Sequence, residues 1–132
     1  MYLIDTNIFL ELLLNQEKAG EVRNFFTATS LSLLHVTDFS LFSIGILLIR
    51  GKKYAVYQEF IKDIVQRGGV SVLSVSEFDL TEVTSIAERF NLDFDDAYQY
   101  TVAIQYDLTI VSYDNHFDRT DKGRKTPGQI LS

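Results

Sequence analysis

The sequence of 132 residues contains no cysteine and no tryptophan, one proline, and two histidines, His35 and His116. Without cysteine there are no disulfides, thiol nucleophiles or thiolate metal ligands. Two histidines argue against a histidine-rich zinc site. A membrane-spanning helix needs roughly 20 apolar residues, whereas the most apolar stretch, residues 39–49, is short and contains two serines and a glycine. With no basic and apolar leader at the start, the sequence predicts a soluble cytoplasmic protein.

The composition is that of a folded domain, with 46% hydrophobic and 13% aromatic residues. This content argues against intrinsic disorder, and the length predicts one domain over residues 1–132. The net charge of −6 disfavours bulk attraction to nucleic acids or anionic membranes. It leaves open a nucleic-acid substrate, because metal ions can bridge carboxylates to phosphates.

Short apolar runs alternate with pairs of amphipathic segments, which predicts the order β-α-α-β-α-α-β-α-α-β. Strands separated by helices predict a three-layer α/β/α fold with a central, mainly parallel sheet of four to five strands flanked by helices. Thr6 is predicted to cap the first helix, and the tail from residue 113 is predicted to be irregular with at most one short edge strand. The predicted strands are residues 2–4, 31–36, 70–75 and 108–112, and the predicted helices are residues 6–14, 17–28, 38–48, 54–66, 79–91 and 93–106.

Carboxylates follow the ends of several predicted strands. Asp5, Asp38 and Asp114 come after the first, second and fourth strands, and residues 93–96 (DFDD) open the helix before the fourth. Because parallel strands end at one edge of a sheet, these acids are expected to converge there. Several carboxylates sharing a small space require a counter-charge, which a hard divalent cation supplies. Ordinary helix capping is the alternative for Asp38 and for the acids of the DFDD segment.

These segments resemble the PIN domain, the metal-dependent ribonuclease fold of VapC-type toxins. The resemblance covers nearly the whole chain and is carried by three stretches in the family's order, LIDTN at residues 3–7, LDFDDA at 92–97 and IVSYDNHF at 110–117. In addition, PGQIL at residues 127–131 resembles the family's closing proline-containing segment.

The resemblance implies that Asp5, Asp96 and Asp114 are catalytic and bind a Mg²⁺ or Mn²⁺ ion. The family usually carries a glutamate on the helix after the second strand, and Ser43 occupies that position here. Asp38, at the start of the same helix, is a candidate replacement. Without a replacement the site has three acids rather than four, which would weaken metal affinity and puts catalysis in question.

Supporting roles are also implied near these acids. Thr6 and Asn7 would hydrogen-bond the first carboxylate and metal-bound waters, and Ser112 would buttress the loop before Asp114. His116 is a candidate hydrogen-bond donor to Asp114 itself. The tail contains a positive cluster formed by Arg119, Lys122, Arg124 and Lys125. These residues either contact substrate phosphates or lie in a solvated loop.

The leading functional hypothesis is an endoribonuclease that hydrolyses RNA phosphodiester bonds. If the chain is a toxin, a small antitoxin would bind it and block the acidic pocket. Apolar side chains along residues 39–46 also leave room for a homodimer. The alternative is a PIN domain with weakened catalysis that acts as an RNA- or protein-binding scaffold. A receiver-like phosphorylation domain is disfavoured, because the third strand is followed by Val75, Ser76 and Glu77 rather than an aspartate.

Overall fold

The computed structural model describes all 132 residues and contains one sheet of four strands. The strands are β1 (Tyr2–Ile4), β2 (Leu34–Thr37), β3 (Ser71–Leu73) and β4 (Thr109–Val111). Every strand pairing is parallel, and the spatial order is β3-β2-β1-β4. The predicted α/β fold with a parallel sheet is therefore confirmed.

Seven α-helices surround the sheet. The bounds of several predicted elements differ. The second strand starts later, because Leu31–Leu33 form a 3₁₀ turn, the third and fourth strands are shorter, and the fourth helix ends in a π-helical turn at Lys62–Gln66. None of the helices is both long and apolar enough to cross a membrane. The helices are α1 (Thr6–Leu13), α2 (Ala19–Ala28), α3 (Asp38–Arg50), α4 (Tyr54–Ile61), α5 (Leu80–Phe90), α6 (Phe94–Gln105) and α7 (Pro127–Leu131).

The apolar core lies on both faces of the sheet. Successive strand residues point to opposite faces, so Leu3 and Ile110 pack on the side of α5 and α6, whereas Ile4 and Val111 pack on the side of α1 to α4. All four side chains are almost completely buried. Burial on both faces explains why these strands read as continuous apolar runs rather than as alternating patterns.

The start of α1 corrects one prediction, since Asp5 and not Thr6 caps the helix. Asp5 keeps the extended backbone of β1, and its carboxylate accepts a hydrogen bond from the backbone N–H of Thr6 at 2.7 Å. Thr37 caps α3 in a similar way, because its hydroxyl accepts from the N–H of Ser40 at 3.0 Å. Both caps are the last residues before a helix at the carboxyl end of a strand.

The tail differs in part from the prediction, because two short helices interrupt its irregular stretches. A 3₁₀ helix covers Asn115–Arg119, and α7 begins at Pro127 with a reciprocal capping box between Thr126 and Gln129. Pairing with β4 is limited to a single bridge between Val111 and Lys125. The helix is stabilised instead by packing against α2.

Candidate metal centre

A small polar pocket of about 240 Å³ opens at the carboxyl edge of the sheet. A larger cavity of about 450 Å³ lies between α1 and α4, but its walls are mainly apolar, and its two acids, Glu59 and Asp63, pair with Lys62 and Arg67. The polar pocket is therefore the candidate for chemistry. It is lined by Asp5, Thr6, Asn7, Leu10, Ser43, Asp95, Asp96 and Asp114.

The fold brings three predicted acids to this pocket from separate parts of the chain. Asp5 directly follows β1, and Asp114 lies shortly after β4, which pairs in parallel with β1. Asp96 enters from the first turn of α6. Neighbouring parallel strands end at the same edge, so the convergence follows from topology. Of the three, Asp5 and Asp96 are each only 5% exposed.

Asp5 is fixed by three hydrogen bonds. Its Oδ1 accepts from the backbone N–H of Thr6 and from Gln99 Nε2, both at 2.7 Å, and its Oδ2 accepts from Ser112 Oγ at 2.6 Å. Burial raises the pKa of Asp5 even though these hydrogen bonds favour the charged form. The carboxylate is thus held in one orientation with little solvent around it.

Asp96 is buried among several carboxylates, and both its burial and their proximity change its pKa. Burial, followed by the nearby carboxylates of Asp114, Asp95 and Asp5, raises the pKa of Asp96 to about 7. No lysine or arginine forms an ion pair with any of these four acids. A site with this charge favours a bound cation.

Ser112 connects the ends of β1 and β4. Besides donating to Asp5, its Oγ accepts from the backbone N–H of Asp114 at 2.8 Å and from Asn7 Nδ2 at 3.3 Å. The side chain of Asn7 in turn accepts from the N–H of Tyr113 at 3.3 Å. Asn7 and Ser112 therefore orient the loop that carries Asp114, while the hydroxyl of Thr6 donates to Ser40 at 2.9 Å.

Gln99 is a contact of Asp5 that the sequence did not reveal. It lies one turn after Asp96 on α6, is only 2% exposed, and donates a hydrogen bond to Asp5. The sequence contained one indication of this contact: Gln99 has a high hydrogen-bonding capacity and lies in the segment from Ala97 to Ala103, which is buried in the structure. A buried amide requires a partner, but the sequence did not identify which one.

His116 lies beside two of the acids. Its Nδ1 is 3.2 Å from Asp114 Oδ1 and 3.4 Å from Asp96 Oδ2. Oxygen or nitrogen atoms of these three residues all lie within 4.8 Å of one another, close enough to bind one metal ion. The predicted proximity of His116 to Asp114 is therefore present, and Asp96 is included in the same cluster.

Asp38 does not line the pocket. Its carboxylate accepts from the N–H of Phe39 at 2.8 Å and from the hydroxyl of Tyr98 at 2.9 Å. Ser43 lies in the pocket wall, contributed by α3, and Asp95 adds a fourth carboxylate to the lining. The structure thus leaves Asp38 outside the pocket lining and places Asp95 in it; for both residues the sequence had left helix capping as the alternative.

The positive residues of the tail do not line the pocket either. Arg119 donates to the backbone carbonyl of Asn91 at 2.6 Å, and Lys122 pairs with Asp107 at 3.1 Å. These two contacts anchor the tail to the residue that ends α5 and to the turn that follows α6. Arg124 pairs with Asp118 at 3.1 Å and also donates to the carbonyl of Ser112.

Comparison with known proteins bears on this arrangement. The model of one family, described as PIN domain, matches residues 2–123. The chain belongs to the PIN domain family. This result confirms the resemblance that the three stretches between residues 3 and 117 indicated, whereas the PGQIL stretch lies beyond the matched residues. No curated protein sequence matches the chain significantly.

Solved structures share this PIN fold. A toxin–antitoxin complex from Klebsiella pneumoniae has 16% identity, a TM-score of 0.76, and coverage of 96% of this chain and 98% of that chain. FitAcB from Neisseria gonorrhoeae has 22% identity, a TM-score of 0.74, and coverage of 97% and 99%. VapC20 from Mycobacterium tuberculosis, described as a sarcin–ricin loop cleaving toxin, has 15% identity, a TM-score of 0.74, and coverage of 86% and 90%. At these identities the likeness concerns the fold.

Proposed function

We propose that this PIN domain is a Mg²⁺- or Mn²⁺-dependent endoribonuclease that hydrolyses RNA phosphodiester bonds. The observation that carries the proposal is the meeting of Asp5, Asp96 and Asp114 in one pocket without a lysine or arginine partner. Membership of a family that generally comprises nucleases supports the same activity. The function is argued from this site, because a fold alone does not determine a reaction.

The donor set fits a hard divalent ion. Carboxylate oxygens are the ligands that Mg²⁺ and Mn²⁺ prefer, and the raised pKa of Asp96 reflects a concentration of negative charge that such an ion would offset. Asp5, Asp96 and Asp114 would hold the ion. When bound, the ion supplies positive charge and Lewis acidity toward water and a phosphodiester oxygen.

The other residues position these acids. Gln99, Ser112 and the N–H of Thr6 hold the carboxylate of Asp5, which leaves part of its oxygen surface directed to the pocket. Asn7 in turn donates a hydrogen bond from Nδ2 to Ser112 Oγ. Such hydrogen bonds to ligand side chains typically affect metal affinity or activity by about 10–100-fold.

The proposal extends to a role as the toxin of a cytoplasmic toxin–antitoxin pair. Support comes from the toxin–antitoxin complex of the same fold from Klebsiella pneumoniae. A second copy of the chain is a further proposed partner, because α3 exposes Phe42, Ile46 and Ile49 by 63%, 55% and 49%. Exposed apolar side chains of this size on one helix are typical of protein–protein contacts.

The test is RNA cleavage by the purified protein with Mg²⁺, with Mn²⁺ and with a chelator. We expect metal-dependent cleavage that Asp5→Asn and Asp96→Asn reduce by at least about 100-fold. Asp63→Asn is the matched control, since Asp63 is exposed and pairs only with Arg67 on the same helix surface. A protein that is folded, binds no Mn²⁺ and cleaves no RNA would contradict the proposal.

A second candidate function is an RNA- or protein-binding scaffold with weakened catalysis. Ser43 favours it, because this pocket residue stands where the family usually carries a glutamate. A scaffold would bind RNA equally well with and without a divalent ion, and its binding would persist in Asp96→Asn. Filter binding with a chelator, run beside the cleavage assay, separates the two functions.

A further inference from the structure

The side chain of His116 is directed to the acids by the local backbone. His116 belongs to the 3₁₀ helix Asn115–Arg119, and its N–H donates to Asp114 Oδ1 at 2.9 Å, which caps that helix. The side chain is 45% exposed, so packing in the core does not account for its position. Its ring nitrogen instead approaches Asp96 and Asp114, which come from different elements.

The distances match those between ligands of one ion better than those of strong ion pairs. Nδ1 lies 3.2 Å from Asp114 Oδ1 and 3.4 Å from Asp96 Oδ2. Charge-assisted N–H···O hydrogen bonds are usually about 2.7–2.9 Å long. Ligand atoms about 2.0–2.2 Å from a common ion are separated by roughly 2.8–3.6 Å for angles between 90° and 109°.

We propose that His116 Nδ1 is a ligand of the divalent ion, together with Asp96 and Asp114. The inference rests on the proposed metal-dependent function and adds a nitrogen donor to its site. His116 takes the place of the absent glutamate, but it comes from the turn after β4 rather than from α3. The residue of α3 in the pocket lining is Ser43, which has only a short hydroxyl side chain.

A nitrogen donor changes which ion the site prefers. Imidazole suits transition metals, whereas Mg²⁺ favours a shell of oxygen ligands. The preference for Mn²⁺ over Mg²⁺ should therefore be larger than in a site made only of carboxylates. Replacing His116 by an oxygen-donor residue should reduce this preference.

The opposing explanation makes His116 a counter-charge instead of a ligand. A protonated ring between two carboxylates would occupy the place of the ion and compete with it. The two explanations predict opposite effects of His116→Gln on Mn²⁺ affinity. Loss of a ligand weakens binding, whereas loss of a competitor strengthens it.

The experiment is pulsed electron paramagnetic resonance of Mn²⁺ bound to the wild-type protein, which detects directly coordinated ¹⁴N. We expect a strong nitrogen coupling in the wild type, its loss in His116→Gln, and an increase of at least about tenfold in the Mn²⁺ dissociation constant of that variant. His35→Gln is the control, because His35 lies in β2 and its ring contacts the backbone oxygen of Tyr2. The control should retain the coupling.

The outcomes separate this inference from the proposed function. A wild-type protein that binds no Mn²⁺ would overturn both. Mn²⁺ binding without nitrogen coupling would overturn only the role of His116, as would unchanged or tighter binding by His116→Gln. The wild-type spectrum decides the matter even if a variant folds poorly. Asp96→Asn should weaken Mn²⁺ binding in either case and verifies that the signal comes from this pocket.

Discussion

Gln99 donates its side-chain N–H to Asp5 Oδ1 at 2.7 Å, and both side chains are buried. The bond joins the middle of α6 to the end of β1, two elements that otherwise contribute separate acids to the pocket. The other amide atom, Gln99 Oε1, is buried without a hydrogen-bond partner. An unsatisfied buried acceptor costs about 1–3 kcal/mol. Gln99 thus orients Asp5 at a cost to stability.

Gln99→Leu should weaken the metal site more than the fold. The change removes a donor from Asp5 and also removes the unpaired Oε1, so the two effects on the free energy of unfolding oppose each other. We expect a net change within about 1 kcal/mol, while the Mn²⁺ dissociation constant rises about tenfold. Urea denaturation in chelator and Mn²⁺ titration measure the two quantities.

Gln105→Leu serves as the control for this substitution, because Gln105 lies on the same helix but is exposed and bonds to Asp79 and Glu82. It should leave Mn²⁺ affinity unchanged. If Gln99→Leu keeps wild-type affinity for Mn²⁺, the hydrogen bond to Asp5 has no role in positioning the ligand.

The metal-free protein should lose stability as the pH rises from about 4 to about 7. The pKa of Asp96 is about 7 in the folded protein and 3.8 in the unfolded chain, so the folded protein holds the extra proton in this interval. The free energy of unfolding therefore decreases with pH. At about 1.4 kcal/mol per pKa unit, the contribution of Asp96 is at most about 4 kcal/mol. The raised pKa of Asp5 acts in the same direction.

The measurement is urea denaturation in chelator at several pH values. Asp96→Asn cannot ionise at this position, so it should be more stable than the wild type at pH 7 to 8 and show a flatter pH dependence. Asp63→Asn, which alters an exposed carboxylate, should follow the wild-type curve. Equal pH dependence of Asp96→Asn and the wild type would show that the repulsion among these carboxylates is unimportant.

Ser43→Glu should restore a fourth carboxylate contributed by α3. Ser43 lines the pocket and is partly exposed, so a longer side chain has space to extend. We expect Mg²⁺ affinity to increase by about tenfold and the metal-free protein to become less stable at pH 7, because another negative charge enters the pocket. Ser85→Glu, on the exposed face of α5, adds the same charge elsewhere and should change neither quantity. Unchanged Mg²⁺ affinity in Ser43→Glu would argue against this account of the departure from the family pattern.

The sequence predicted the meeting of Asp5, Asp96 and Asp114 because parallel strand ends and a helix start determine where they lie. It could not decide the direction of Asp38, which depends on a hydrogen bond to Tyr98, 60 residues later in the chain. For the same reason the sequence could not predict that Gln99 donates a hydrogen bond to Asp5. Apolar periodicity fixes which face of an element is buried, but it contains no information about which polar groups meet across that face.

Ser112→Ala should destabilise the protein and disturb the metal site together. Its hydroxyl donates to Asp5 and accepts from the N–H of Asp114, so alanine leaves both groups with one hydrogen bond fewer. We expect a loss of about 1–3 kcal/mol in the free energy of unfolding. The pKa of Asp5 should also rise further, because the bond from Ser112 favours its charged form. Urea denaturation and carboxyl ¹³C NMR titration measure the two effects, with Ser74→Ala as the exposed control. A loss of stability without a change in the pKa of Asp5 would limit Ser112 to supporting the loop.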